Sequence, residues 1–216
     1  MSKKFVFYIG FFLVLVVGFY FVLTRVIPGY GKVKLPVLSY VLPFQFVNQD
    51  GKTISEHDLD GKVYVAEYFF TTCKSICPIM NTNLQPIHKA YINEPRFLIV
   101  SHTCDPETDN SARLKVYADS IKADTRHWWF LTGRKDSLYT TARTSYLLDD
   151  PKNNLQSIDD QFLHTQFFAL VDKSGRVRKI YDGLKKDELE ELKIDIQGLL
   201  DEPVTQKRFS NNLFGN

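Results

Sequence analysis

The residues of this sequence best suited to chemistry are two cysteines, Cys73 and Cys77, with three residues between them. They follow an aromatic and β-branched run that is typical of a buried strand, and Pro78 comes directly after them. Proline fits in the first turn of a helix, so we expect a helix to begin at about residues 76–78. The free N–H groups of a helix start favour thiolates, and the sequence therefore predicts lowered pKa values for both cysteines.

Two converging thiolates form either a redox couple or a site for a soft metal ion. Thioredoxin-type oxidoreductases place two residues between their cysteines, so the wider spacing here matches that class less closely. Zinc normally needs four ligands, whereas copper(I) accepts thiolates and imidazole in smaller number. On these residues alone, a copper site and a thiol–disulfide site both remain open.

A third ligand would come from the five histidines of the chain. His102 follows one predicted strand and His164 precedes another, so we expect that either can approach the cysteine loop. The remaining histidines lie in polar or helical contexts and are expected to be solvated; they are His57, His88 and His127. The third cysteine, Cys104, also follows the strand that precedes His102. We expect it to lie close enough to the other two cysteines to act as a resolving thiol or an extra ligand.

The rest of the sequence alternates between strand-like and helix-like segments. Predicted strands cover residues 63–70, 97–101, 128–131, 167–171 and 177–181, and predicted helices cover residues 78–91, 111–121, 136–145 and 187–200. Asp50-Gly51 between two apolar runs predicts an N-terminal β-hairpin, and Pro86 should kink or split its helix. The pattern indicates an α/β fold with a mixed sheet flanked by helices. The two cysteines then lie at the carboxyl end of a central strand, where ligands of such sheets bind.

Residues 5–23 form an unbroken apolar stretch that follows Lys3 and Lys4. Its length of about 19 residues is enough to cross a bilayer. It has no polar face, no small-residue cleavage site and no lipobox cysteine, so we expect an uncleaved, single transmembrane helix. Residues 1–27 are then a cytoplasmic tail and anchor, 28–36 a stalk, 37–200 one globular domain and 201–216 a polar tail.

The charge of the chain is nearly balanced, with 27 Lys and Arg against 25 Asp and Glu and no basic stripe, which argues against nucleic-acid binding. The short N-terminal tail and the cysteine chemistry place the domain outside the cytoplasm. No Arg- and Ser-rich transit peptide precedes the apolar stretch. We therefore expect a bacterial inner-membrane protein whose domain faces the periplasm.

Several motifs together resemble the SCO/SenC family of copper-binding proteins. Residues 68–78, with the letters YFFTTCKSICP, resemble the family's Phe-Thr-x-Cys-x-x-x-Cys-Pro loop. Residues 100–109 resemble its strand ending in Asp-Pro-Glu-x-Asp, and residues 131–146 its next strand and helix. Residues 164–172 resemble its His-Thr/Ser-x-x-x-x-Leu-Val-Asp segment, although many members have Asp where this chain has Leu163. The likeness runs in order from about residue 36 to residue 200.

This resemblance implies a thioredoxin-like fold with copper bound by Cys73, Cys77 and His164. It further implies a metallochaperone that delivers copper to the copper centre of cytochrome c oxidase, or that reduces the cysteines of that centre. The partner would be the oxidase subunit that carries the centre, or another copper protein. The alternative is an extracytoplasmic thiol–disulfide oxidoreductase or thiol peroxidase that uses Cys73 and Cys77 as its redox pair.

Overall fold

The computed structural model describes residues 3–26, 34–149 and 165–204. The chain divides into two compact units, residues 1–34 and residues 35–216. In the first unit, helix α1 spans Lys3–Val26. Its stretch Lys3–Leu23 has 21 residues, none of them buried, and is long and apolar enough to cross a membrane. The predicted stalk residues 28–33 and tail residues 205–216 lie outside the described part of the chain.

The described residues of the second unit form eight strands in one sheet. The strands are β1 Ser39–Tyr40, β2 Gln45–Asn48, β3 Thr53–Ser55, β4 Val63–Phe69, β5 Phe97–Thr103, β6 Trp128–Thr132, β7 Phe167–Val171 and β8 Arg176–Asp182. The helices are α2 Ile76–Ala90, α3 Ser111–Ser120, α4 Lys135–Thr140 and α5 Lys186–Asp201, with a 3-10 turn at Glu56–Leu59 and a π-helical turn at Thr141–Tyr146. The sheet order is β1-β8-β7-β4-β5-β6-β2-β3.

Strand β4 lies in the middle of this sheet and pairs with strands of both directions. It runs parallel to β5, from Val63 opposite Phe97 to Phe69 opposite Thr103, and antiparallel to β7. All seven residues of β4 and all seven of β5 are buried, as is typical of central strands in a sheet covered on both faces. The predicted mixed sheet flanked by helices is confirmed.

The two faces of the sheet carry separate cores because side chains alternate along each strand. One core, here called the α2 layer, lies under helices α2, α3 and α5 and includes Val65, Phe69 and Cys77. The other, here called the α4 layer, lies under α4 and the π-helical turn and includes Tyr68 and Cys104. The two layers decide which predicted site residues can meet.

Two local predictions have different outcomes. The N-terminal hairpin is confirmed, since β2 pairs antiparallel with β3 and Gly51 takes the positive φ of 77° that its turn requires. Of the predicted kink or split at Pro86, the split does not occur, because α2 continues through it as one helix. Pro86 lies on the exposed face of α2, where water can satisfy the carbonyl that the proline leaves unbonded.

Two predicted boundaries also change. Strand β5 extends two residues beyond the predicted end at residue 101, so His102 lies inside the strand rather than after it. The predicted helix over residues 136–145 is α4 followed by the π-helical turn, which ends where Leu147 adopts a left-handed conformation with φ of 57°.

The carboxyl group of Glu67, on strand β4, lies on the side of the sheet that faces the α2 layer and has no exposed surface. Glu67 Oε1 accepts a hydrogen bond from the Ser101 hydroxyl at 2.5 Å, and that hydroxyl accepts one from Trp128 Nε1 at 2.8 Å. Glu67 Oε2 has no hydrogen-bond partner among the residues that the structure describes. Burial therefore raises the pKa of Glu67 to about 7, although the Ser101 hydrogen bond opposes the shift.

We predict that Glu67→Gln removes a pH dependence of folding stability. The folded pKa of about 7 exceeds the ordinary value of 4.5, so the wild type has its full stability below about 4.5 and loses it as the pH rises through about 7. The wild type loses this stability between pH 5 and pH 8 and the variant does not. The difference in unfolding free energy, variant minus wild type, should therefore rise by up to about 3 kcal/mol over this range. Urea unfolding at both pH values measures this gain, with the exposed Glu107→Gln as control. Identical pH slopes in wild type and Glu67→Gln would contradict the prediction.

Candidate functional site

The two cysteines lie where β4 ends and α2 begins. Cys73 is in the connecting loop, with its N–H bonded to the Phe70 carbonyl at 3.1 Å, and Cys77 is in the first turn of α2. Helix α2 begins at Ile76, as the position of Pro78 predicts. Cys73 is partly exposed and Cys77 is buried, and both pack against the α2 layer as free thiols.

Cys73 is set up as the reactive thiol of the pair. Ser75, the residue just before helix α2, makes no capping hydrogen bond with its side chain. The backbone N–H groups at the start of α2 are therefore available to the Cys73 sulfur. Burial raises the pKa of Cys73, but hydrogen bonds from Cys77 and Ser75 outweigh it and lower that pKa to about 7. The predicted lowering is confirmed for this cysteine.

Cys77 behaves in the opposite way. Burial raises the pKa of its thiol to about 12, and its hydrogen bond to Cys73 and the nearby charge of Glu67 act in the same direction. The predicted lowering is therefore wrong for Cys77, because the α2 core around it disfavours a charge more than the helix start favours one. At neutral pH the site pairs a partly ionised, accessible Cys73 with a protonated, sheltered Cys77.

The expectation that His102 approaches the cysteine loop is wrong. Its ring is fully buried on the α4 side of the sheet, stacked on Tyr68 with ring centroids 5.0 Å apart and edge-on to Phe46 at 5.5 Å. Burial lowers the pKa of His102 to about 3, so it is a neutral core residue. The predicted solvation of His88 is also wrong, since this side chain is buried against Trp128 with ring centroids 5.4 Å apart.

His164 lies outside the described residues. The strand after it, β7, starts at the edge of the sheet where the cysteine loop leaves β4. Strand β7 runs antiparallel to β4, with Ala169 opposite Ala66. The chain therefore enters β7 at the end of the sheet where β4 ends and the cysteine loop begins. Thr165, the first described residue of this segment, is buried.

The backbone of Cys104 lies beside the cysteine loop, and its side chain packs on the other face of the sheet from Cys77. Its N–H donates to the Phe69 carbonyl at 2.7 Å, at the end of β4. Its side chain is buried in the α4 layer, whereas Cys77 is in the α2 layer on the other face. Burial also raises the pKa of Cys104 well above its ordinary value. The nearby Cys77 and Cys73 thiols raise that pKa further.

Within residues 3–26, 34–149 and 165–204, no three His, Cys, Asp or Glu side chains are grouped so that they could hold a metal ion. Of the three copper ligands that the family resemblance implies, Cys73 and Cys77 lie within the described residues. Two thiolates are soft donors, which copper(I) prefers and which magnesium or calcium do not. The same two thiols can also exchange with a disulfide.

Asp109 is a site residue that the sequence reasoning missed. Its carboxylate is fully buried and accepts hydrogen bonds from Thr71, at the start of the cysteine loop, and from Thr103, at the end of β5. The signal for it was present in the Asp-Pro-Glu-x-Asp motif, whose last residue it is. The motif by itself does not indicate that this aspartate supports the cysteine loop.

Comparison with known proteins decides the family. The SCO1/SenC family model matches residues 35–200. The chain belongs to the SCO1/SenC family. The match covers the whole of the sheet and all but the last residue of α5, so the cysteine loop lies within the SCO1/SenC domain.

Individual relatives agree with this assignment. This SCO1/SenC protein is 34% identical to the SCO1 protein homolog of Bacillus subtilis over 175 residues, which are 78% of this chain and 87% of that protein. It is 31% identical to a solved structure of BsSco, a member of the Sco family of cytochrome c oxidase assembly proteins with a disulfide switch, with a TM-score of 0.65 over 78% of this chain and 98% of that one. Yeast Sco1, solved with copper bound, shares the fold at 24% identity, with a TM-score of 0.56 over 74% of this chain and 89% of that one.

We predict that Cys73 is the thiol that reacts first in the folded protein. Its alkylation rate by iodoacetamide should rise with pH through a midpoint near 7, because the thiolate is the nucleophile. In Cys77→Ala the midpoint should move upward, since a hydrogen bond to the Cys73 thiolate is lost. Mass spectrometry of the labelled peptides measures both rates. A wild-type midpoint at the ordinary thiol value of about 8.5 would contradict the prediction.

We also predict that mild oxidation of this SCO1/SenC protein joins Cys73 to Cys77 and leaves Cys104 reduced. The reason is the placement of Cys104 on the opposite face of the sheet. Peptide mapping of the oxidised protein gives the pairing, and labelling after unfolding counts the remaining thiol. A substantial yield of a bond between Cys104 and either loop cysteine would show that the α4 layer opens under these conditions.

Proposed function

We propose that this protein binds one copper ion through Cys73, Cys77 and His164 and serves in cytochrome c oxidase assembly. It would deliver copper to the oxidase copper centre or reduce the cysteines of that centre. The observation that carries the proposal is the convergence of two thiols of unequal pKa at the start of α2, at the carboxyl edge of the central strands. The oxidase subunit with the copper centre, or another copper protein, is the proposed partner.

The donor chemistry fits copper as a transferable cargo. Cys73 is partly exposed and its thiol ionises near neutral pH, so it can take up or release the ion at the surface. Cys77 is sheltered, so it can hold the ion out of water. Two thiolates and one imidazole select copper(I), and a small donor set permits exchange with another protein.

His164 is proposed as the third ligand on the direction of the chain. It comes one residue before the buried Thr165, and β7 enters the sheet at the edge where β4 ends. Of the histidines in the described residues, His102 lies in the α4 layer and His88 is packed on Trp128. The direction of β7 and the packing of these two histidines elsewhere support His164 as the third ligand.

Thiol–disulfide exchange is the second candidate function, and the unequal thiols favour it. An accessible thiol with a pKa of about 7 is a good nucleophile at neutral pH. A neighbouring protonated thiol can then resolve the mixed disulfide, once its proton is removed. The reduction of cysteines in the copper centre would use this chemistry, and the same two thiols would serve copper binding when both are reduced.

In this proposal, α1 anchors the protein in the bacterial inner membrane. Residues 1–27 form the cytoplasmic tail and anchor, residues 28–36 the stalk, and residues 37–200 the copper-binding domain on the periplasmic side. The length and apolar character of α1 support an anchor. A copper centre assembled outside the cytoplasm is then within reach of the domain.

We predict that the reduced protein binds about one copper(I) ion and that the affinity depends on three side chains. Cys73→Ala, Cys77→Ala and His164→Ala should each lower the affinity at least about tenfold, or about 1.4 kcal/mol. Competition with a chromophoric copper(I) chelator measures this affinity. The exposed His57→Ala and the buried Cys104→Ala serve as matched controls that should bind as the wild type does. Undiminished binding by the double variant Cys73→Ala, Cys77→Ala would refute the assignment.

A further inference from the structure

We infer that Asp109 is a positioning residue that ties the cysteine loop to the end of β5 and thereby keeps the two thiols together. The inference deepens the proposed function and rests on it only for copper, since the thiol pair itself can be measured without metal. It assigns to Asp109 a control over two equilibria of the site: closure of the disulfide and uptake of copper(I).

Asp109 joins the two loops that leave the parallel strands. Its Oδ2 accepts the Thr71 N–H at 3.0 Å and the Thr103 hydroxyl at 2.6 Å, and its Oδ1 accepts the Thr71 hydroxyl at 2.5 Å. Thr71 is the second residue after β4, and Thr103 is the last residue of β5. One carboxylate therefore clamps the start of the cysteine loop to the neighbouring strand by three hydrogen bonds.

Helix α3 completes this clamp. Arg113 Nε donates to the Thr71 hydroxyl at 2.7 Å and lies 3.6 Å from Asp109 Oδ1. The Asp109 side chain has no exposed surface, whereas that of Arg113 is 47% exposed. Hydrogen bonds that involve an ionised partner are stronger than neutral ones, and more so when water is excluded. Thr71 thus has its N–H and its hydroxyl both engaged.

The clamp acts on the thiols through a short stretch of chain. Thr71 is two residues before Cys73, whose own N–H is bonded to the Phe70 carbonyl. Fixing Thr71 limits the conformations of the loop and holds Cys73 near Cys77. A loop released from Asp109 must lose that freedom again whenever the thiols close on each other or on copper. Disulfide closure and copper(I) uptake should then both become less favourable. A change in overall folding stability alone would alter neither equilibrium constant.

The test compares Asp109→Asn and Thr71→Val with wild type as full-length protein in detergent. Each is equilibrated with glutathione, in which two glutathione thiols become one disulfide as the bond between Cys73 and Cys77 is reduced to two thiols. Alkylation and peptide mass spectrometry give the fraction oxidised. We expect the equilibrium constant for forming the Cys73–Cys77 bond to fall about tenfold in both variants, or about 30 mV in potential.

Two matched controls separate positioning from stability. Asp172→Asn removes a buried carboxylate that binds Arg176 and Arg178, at the amino end of β4 where Val171 pairs with Tyr64. Thr141→Val removes a threonine hydroxyl that donates to the Ser137 carbonyl at 2.9 Å. Both should lower the free energy of unfolding and leave the glutathione equilibrium at its wild-type value. The double variant of Asp109→Asn and Thr71→Val should shift that equilibrium no more than the stronger single variant, because both act through one contact.

Copper(I) competition on the same proteins should show a drop in affinity of about tenfold in both loop variants. The inference is overturned if the glutathione equilibrium of the loop variants equals that of wild type, or if Asp172→Asn shifts it equally. Should Asp109→Asn fail to fold, Thr71→Val decides alone, since it removes one hydroxyl and keeps the carboxylate. Should the wild type bind no copper, the proposed function fails while the glutathione equilibrium still decides the role of Asp109.

Discussion

The parallel pairing of β4 and β5 is the constraint on which the site depends. Seven residue pairs, from Val63 with Phe97 to Phe69 with Thr103, hold the two strands in register, and all fourteen residues are buried. Their carboxyl ends must therefore emerge side by side. One end carries the cysteine loop and the other the segment with Asp109, so a single pairing brings the thiols and their support together. β7, antiparallel to β4, brings the segment after His164 to the same edge.

Much of this arrangement could be predicted from the sequence, because long apolar runs and Asp-Gly and Cys-Pro signals are local. The mixed sheet, the hairpin and the start of α2 followed from them. The errors concern which face a side chain takes. Ending β5 at residue 101 put His102 and Cys104 in a free loop, whereas two more residues of strand direct both into the α4 layer by simple alternation. The raised pKa of Cys77 could not be predicted from the sequence either, because it depends on how deeply α2 packs into the core and not on the spacing of the two cysteines.

The unequal thiols explain how one site can serve both copper binding and disulfide exchange. A metal-bound cysteine is a thiolate, so in the proposed function copper binding at Cys77 would release a proton, and the high pKa of this thiol would make copper uptake depend on pH. Cys73 carries no such cost near neutral pH. In the proposed function, the ion would therefore bind Cys73 first and Cys77 afterwards. A substrate disulfide would follow the same order, with attack by Cys73 and resolution by Cys77.

The core beneath the site takes part in this electrostatic balance. Glu67 lies on the same face of the sheet as Cys77, and its charge contributes to the raised pKa of that thiol. Its own pKa of about 7 means that below neutral pH it is protonated and adds no charge. Two thiolates with one copper(I) ion keep a net negative charge, which a second buried anion would destabilise. A carboxyl that can become neutral thus suits a buried position under a thiolate site.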